Sequence, residues 1–496
     1  MNFGIIRKII GKLLILLAAL MVIPLIVSLI YREDFIYQLS YIIPIFVLLL
    51  GGVLLNIKKV KNKKMLVREG MIIVGLSWII MALFGCLPVI ISGEIPNFFD
   101  AFFEMSSGFT TTGATILTGE QIESLQHSTM FWRSFSHWIG GMGVLVFILA
   151  IIPESKEGSS LHILRAESPG PQVDRLVSKM AASSRILYIM YIVLTLVEFL
   201  LLWLGPDSKM DAFSSLIYSL GTAGTGGFGI HADSLASFAP YSQYVIAIFM
   251  LIFGVNFSIF FLMIIGHFKD VFKNTEIKVY LVTIVLSVLV ICFNLYYTVD
   301  TITTFEEAFR ISLFQSASII STTGYATNDF TNWPALSQTV ILILMIMGGC
   351  AGSTAGGFKI SRVIILFKSA LSKLRRLVWP RKVDTVYMDT KPLKKDTIDN
   401  VAGYFVIYVL VFIACALLIS IYNPNMQMDL QTSFSASLTC INNVGPGLTA
   451  QIGPSGSFAN FSDFSKFILS LEMIAGRLEL FPLLLLFSPN MWKKRV

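Results

Sequence analysis

Four short polar runs hold the residues best suited to chemistry in this 496-residue chain: 107–113 (SGFTTTG), 224–227 (GTGG), 321–324 (STTG) and 442–445 (NNVG). Aligned on their last glycines, they place Thr111, Thr112 and Gly113 in register with Thr225, Gly226 and Gly227. Thr322, Thr323 and Gly324, and Asn443, Val444 and Gly445, complete the set. Glycine takes positive φ at little cost, so it can turn neighbouring carbonyls toward a common centre. Thr and Ser hydroxyls add further oxygens. A ring of such oxygen dipoles can replace the hydration shell of a monovalent cation. No Asp or Glu lies in these runs, which argues against a divalent-cation site. One such run alone is an ordinary loop. Four in register, each between a short apolar piece and a long apolar span, are not.

Two further features belong with them. The run 348–357 (GGCAGSTAGG) carries Gly348, Gly349, Gly352, Gly356 and Gly357 inside an apolar stretch. Each Gly costs about 1 kcal/mol relative to Ala in a helix, so the span should break there. A small-residue loop in that place reads as a gate; the competing reading is a close helix-packing face. The stretch 352–359 (GSTAGGFK) nearly matches a phosphate loop, but Phe358 stands where Lys is required, so no nucleotide site is read there. Arg477 is a charge within an apolar span, and such charges are usually functional. It could face the ion path and slow cations; the alternative is an ion pair to another helix. Glu479, two residues on, points to a different face. Arg133 and His137, one turn apart, read as structural, with a proton relay as the lesser reading of His137. Lys359 reads as a snorkelling side chain or a partner contact.

The elements that must position these residues are membrane spans. Hydrophobic residues make up 55% of the chain, and charged residues only 14%, at a mean hydropathy of +0.76; soluble domains carry about 25% charged residues. That excludes a soluble enzyme, a disordered chain and a fibrous protein. Apolar spans lie near 9–31, 36–57, 71–92, 131–152, 185–205, 241–266, 279–299, 335–358, 400–422 and 465–488. The first is too long for a signal-peptide core and reads as retained. With both termini cytoplasmic, the inner segments hold 31 of the 37 Lys and Arg, the positive-inside pattern. The inner stretch 359–399 is the most basic, which suits anionic lipid or a cytosolic regulator.

After the third, fifth, seventh and ninth spans comes an apolar piece too short to cross: 97–107, 211–221, 305–318 and 430–440. Each runs into one of the four polar runs. The unit is span, half-helix, polar turn, span, repeated over 70–158, 159–272, 273–385 and 386–496, with 1–69 as two extra spans. Irregular backbone survives at membrane depth only where it is packed in protein or lines water. The expectation is an all-α membrane protein with ten transmembrane helices and four repeats around a pseudo-fourfold pore. Each half-helix would aim its C-terminal end, worth about −0.5 charge, at the pore. The five cysteines read as small buried residues. With no nucleophile–base pair or metal-ligand cluster, the chain does not read as an enzyme, and no covalent cofactor or nucleic-acid partner is expected.

TTTG at 110–113, FWRS at 131–134, WIGGMG at 138–143, STTGY at 321–325, GGCAGSTAGG at 348–357 and GRLE at 476–479 give a specific resemblance. The chain resembles the Trk/Ktr/HKT superfamily of potassium transporters, in particular bacterial Trk-type (TrkH-type) membrane subunits, along nearly its whole length. The resemblance implies potassium uptake across the bacterial cytoplasmic (inner) membrane, with K+ as the transported ion and Rb+ and Na+ as further candidates. The alternative is a Na+- or H+-coupled symporter. It also implies a homodimer and a cytosolic, TrkA-like nucleotide-binding ring. Gly113, Gly227, Gly324 and Gly445 would be the filter glycines, 348–357 the gate and Arg477 a residue close beneath the filter. This sequence departs from the pattern at Gly226, in the fourth turn (Asn443-Val-Gly-Pro446), and at His137, where Gln is expected.

Overall fold

The computed structural model describes residues 1–60, 66–143, 180–379, 385–389, 391–423 and 429–492. The expected inner segment 153–185 lies outside them but for its last residues, as does the end of the expected fourth span, 144–152. Among the described residues the regular structure is helical apart from one small hairpin, Tyr387–Met388 paired with Lys391–Pro392.

Among the described residues, six helices are long and apolar enough to cross a membrane: Phe3–Ile30, Phe35–Ile57, Val67–Ile91, Arg185–Trp203, Thr275–Thr298 and Lys395–Ser420. They are the two leading spans and the first span of each repeat. Their lipid-facing sides stay apolar, with Phe46, Leu196, Val285 and Leu410 among the exposed residues. A helix apolar all round belongs in a membrane.

The second spans differ. His127–Gly141 is followed only to residue 143. Ala335–Met347 stops at Gly348, at φ +65°, and the chain resumes helix at Ile360–Val378. The sixth and tenth spans, expected to be continuous over 241–266 and 465–488, are both broken. Pro240–Phe253 meets Phe257–Ile264 at 93°. Asn256 starts the new helix by accepting from Ser258 N, and a Cβ on Gly254 would lie 2.4 Å from the Tyr280 hydroxyl. Asp463–Arg477 gives way to Phe481–Leu486 through Glu479 and Leu480, both at positive φ, with Pro482 opening the new helix.

Between first and second spans stand four short helices, Phe98–Phe109, Ala212–Gly224, Phe305–Ile320 and Leu430–Asn442. Each begins with a side-chain cap: Asn97, Asp211, Thr304 and Asp429 accept from backbone N–H groups of the first turn. Their apolar residues, such as Phe103, Tyr218, Phe314 and Cys440, are buried at the centre of the molecule, inside the long spans.

Candidate functional site

The four short helices end alike. In each, the N–H of Thr112, Gly226, Thr323 or Val444 donates to the carbonyl five residues back, at 2.8–3.0 Å. The residue before it, Thr111, Thr225, Thr322 or Asn443, sits in the left-handed region at φ +54° to +57°. That is a Schellman ending, a position usually given to Gly. Three β-branched threonines in it are genuine outliers; such strain gathers at functional sites and costs about 1–3 kcal/mol per residue. Two residues on, Gly113, Gly227, Gly324 and Gly445 take φ of +78° to +100°.

These glycines meet in a closed ring. A Cβ on Gly113 would lie 2.1 Å from the Gly226 carbonyl oxygen. On Gly227 it would lie 2.0 Å from that of Thr323, on Gly324 2.2 Å from that of Val444, and on Gly445 2.7 Å from that of Thr112. Each turn thus abuts the next repeat's carbonyl, and the fourth returns to the first. Every residue named from the four runs is in this ring or directly beneath it. The C-terminal ends of four helices converge there, so their negative dipole ends and the carbonyl oxygens favour a cation. On one side, all four glycines line a cavity of about 380 Å³, with Thr115, Phe228, Ala326 and Pro446.

Arg133 stands at the wall of the same cavity. Its guanidinium pairs with buried Glu104 at 2.8 Å and lies 4.2 Å over the Phe228 ring. Glu104 also accepts from Thr115 Oγ1 and Ile116 N, fixing the chain just past the first turn.

The glycine loop 348–359 lies on the opposite side from the cavity. Gly356 N donates to Thr322 Oγ1 at 2.6 Å, and a Cβ on Gly356 would lie 2.5 Å from the Asn442 carbonyl. The loop folds back on itself: a Cβ on Gly348 would lie 2.7 Å from the Gly356 oxygen, one on Gly357 2.7 Å from Gly348 Cα, and one on Gly349 2.5 Å from Ala355 Cβ. Gly352, at the far end, rests against Asn256 and accepts from Phe257 N. Cys350 N donates to the Gly254 carbonyl at 3.0 Å. The bend in the sixth span therefore cradles the break in the eighth.

Arg477 faces this loop. Its guanidinium donates to the Thr354 carbonyl at 2.7 Å, and to those of Gly140 and Gly141 at 2.6 and 2.5 Å. Gly140 backs the Phe109 carbonyl at the end of the first short helix, where a Cβ would come within 1.8 Å. Arg477 thus joins the loop to the ring's supports through backbone carbonyls of the first and third repeats. Glu479 pairs with Arg362.

Lys359 does not snorkel. It is buried at φ +78° and donates to the Ala355 carbonyl. Glu276 holds the loop at both ends and was not singled out from sequence: one carboxylate oxygen accepts from Ala351 N at 2.8 Å and Ser361 N at 3.2 Å. An acid in the first turn of a helix is common for dipole reasons, and that disguised it. Asn256 was equally hidden; a lone Gly254 two residues before it was the only signal.

Comparison with known proteins agrees with this arrangement. Residues 40–494 match the TrkH family, described as cation transport protein. The chain is 36% identical to the Trk system potassium uptake protein TrkH of Escherichia coli K12, over all of both chains. It is 30% identical to that organism's TrkG over 97% of each. It superposes on the crystal structure of the potassium transporter TrkH from Vibrio parahaemolyticus with a TM-score of 0.87 and 32% identity, covering 99% of this chain and all of that one. Long apolar helices, four capped short helices and a closed ring of glycine turns are this chain's version of that architecture: it is a multi-pass membrane protein and belongs to the TrkH family of cation transport proteins.

Proposed function

We propose that this chain takes up potassium across the bacterial cytoplasmic membrane, with both termini in the cytoplasm. The observation that carries the reading is the closed ring, in which four carbonyls meet four glycines at the ends of four helices. Potassium uptake is what its relatives from Escherichia coli and Vibrio parahaemolyticus are named for. In this reading K+ is cargo and the chain is not an enzyme. The ion sheds water onto oxygens from Thr111 to Gly113, Thr225 to Gly227, Thr322 to Gly324 and Asn443 to Gly445. The loop with Gly348, Gly349, Gly352, Gly356 and Gly357 is the gate, and Arg477 both holds it and opposes cations electrostatically. The repeats run over 70–158, 159–272, 273–385 and 386–496. A homodimer regulated by a cytosolic TrkA-like nucleotide-binding ring, docking on the basic 359–399 stretch beside anionic lipid, completes the proposal.

The test is radiolabelled rubidium uptake into proteoliposomes holding the purified chain, with K+, Na+ or Li+ as competitors. Uptake suppressed by K+ far better than by Na+, and lost in Gly324→Ser, is expected. Folded protein that moves no rubidium, with or without a nucleotide-binding partner, overturns the reading. Uptake unchanged in Gly324→Ser overturns the residue assignment alone.

A further inference from the structure

The second turn departs from the other three at one position. Thr112, Thr323 and Val444 precede their ring glycines, but Gly226 stands there in the second repeat. Gly226 has no positive φ to explain it. The reason is a neighbour: a Cβ on Gly226 would lie 2.1 Å from His137 Cγ, 2.3 Å from Nδ1 and 2.5 Å from Cδ2. The imidazole occupies the space that a side chain fills in the other turns.

That imidazole is fully buried and bonded at both nitrogens. Nδ1 lies 2.7 Å from the Gly108 carbonyl, three residues before Thr111, and Nε2 lies 3.3 Å from Phe228 N, one residue past Gly227. A carbonyl must receive a proton and an amide must give one, so Nδ1–H donates and Nε2 accepts. His137 therefore clamps the first turn to the second from behind the ring. The other seams are bridged differently. Tyr325 Oη donates to the Phe228 carbonyl at 3.3 Å between the second and third turns, and Asn443 Nδ2 to Thr112 Oγ1 at 2.9 Å between the fourth and first. At the seam between first and second, the imidazole is pressed directly onto Gly226, whose carbonyl meets Gly113 in the ring.

We propose that His137 and the absent side chain of Gly226 act as one specificity-determining unit, the imidazole fixing the Gly226 carbonyl and with it the bore of the ring on that side. His137 is a positioning residue in this role, acting on the ion through that carbonyl. The inference rests on the filter reading above and names what tunes it.

The experiment is rubidium uptake with K+ and Na+ competition for His137→Ala, His137→Gln, Gly226→Ala and the double variant His137→Gln/Gly226→Ala, each checked for a monodisperse elution profile. His137→Ala is expected to keep uptake while the ratio of Na+ to K+ inhibition constants falls about tenfold. His137→Gln keeps one donor and one acceptor and should recover most of that ratio. Gly226→Ala alone should lose most uptake, and the double variant should regain it, because the flexible amide yields the space the methyl needs. A selectivity ratio within about twofold of wild type in folded His137→Ala overturns the proposal while leaving the filter reading intact. Where His137→Ala does not fold, equal uptake by Gly226→Ala and the double variant overturns it. Absence of selective uptake in the wild-type chain overturns both readings together.

Discussion

The ring and the loop beneath it are both glycine-rich, yet their glycines do opposite work. In the ring, each glycine makes room for a carbonyl of the next repeat, at 2.0–2.7 Å from where a Cβ would stand. The contact recurs four times and closes on itself, so no turn can move without its neighbours. In the loop, Gly348 and Gly357 make room for the loop's own backbone, while Gly356 makes room for the Asn442 carbonyl. What holds that fold in place is a handful of hydrogen bonds from elsewhere: Thr322, Glu276, Arg477 and the Gly254 carbonyl. Packed cores are bistable and not continuously deformable; a loop hung on separable hydrogen bonds can have two positions where an interlocked ring has one. Under the proposed function, selectivity and gating would be divided between a part that is rigid by symmetry and a part that is single-copy and releasable.

The largest effect should come from breaking the ring. Gly324→Ala puts a methyl 2.2 Å from the Val444 oxygen at φ +86°. The left-handed penalty is about 1–2 kcal/mol, and the backbone overlap adds to it, so rubidium uptake should fall by about a hundredfold or more. Gly352→Ala is the contrast. It has a similar φ of +75°, but its nearest neighbour is the Asn256 side chain at 3.2 Å. A side chain can yield where a ring carbonyl cannot, so uptake should change by less than about tenfold. Equal losses in the two variants would erase the distinction between ring and loop.

Next comes Arg477→Ala. It removes three hydrogen bonds to carbonyls of the loop and the first repeat, together with a positive charge beneath the ring. Uptake in the absence of any partner should rise about tenfold, with the ratio of K+ to Na+ inhibition preserved. A loss of selectivity instead would place Arg477 with the ring. Glu276→Ala is the milder version of the same release. It strands the N–H groups of Ala351 and Ser361 at the two ends of the loop, at a cost of about 1–3 kcal/mol to the closed arrangement. Basal uptake should rise severalfold, less than for Arg477→Ala because the charge beneath the ring remains. Unchanged basal uptake in folded Glu276→Ala would mean that the loop needs no tie at its ends.

How much of this was legible in the sequence follows the same division. The four turns could be picked out because their signal is local: a short apolar piece, then a Ser-, Thr- or Asn-bearing run ending on a glycine in register. The loop's existence could be read from five glycines in ten residues. Its attachments could not, because they come from far along the chain. Arg362 and Glu479 are 117 residues apart, and their pairing accompanies the break in the tenth span. The bend at Gly254 depends on Tyr280, one tyrosine among sixteen. The departures at Gly226 and His137 were each visible alone, but only the contact between them explains the glycine.

The smallest expected effect tests the ring's supports from the other end. Asp211 caps the second short helix by accepting from Ser214 N at 2.8 Å, and Asn97, Thr304 and Asp429 do the same for their helices. Losing such a cap costs about 1 kcal/mol. That cost falls at the N-terminal end of the helix, some three turns from the ring, and the helix is held along its length by burial against the neighbouring spans. Asp211→Ala should therefore lower the melting temperature by only about 1 °C while the ratio of K+ to Na+ inhibition stays within about twofold of wild type. If that ratio instead shifted as much as in a ring variant, the short helices would be levers and not rigid posts, and the rigidity assigned to the ring would belong to its C-terminal turns alone.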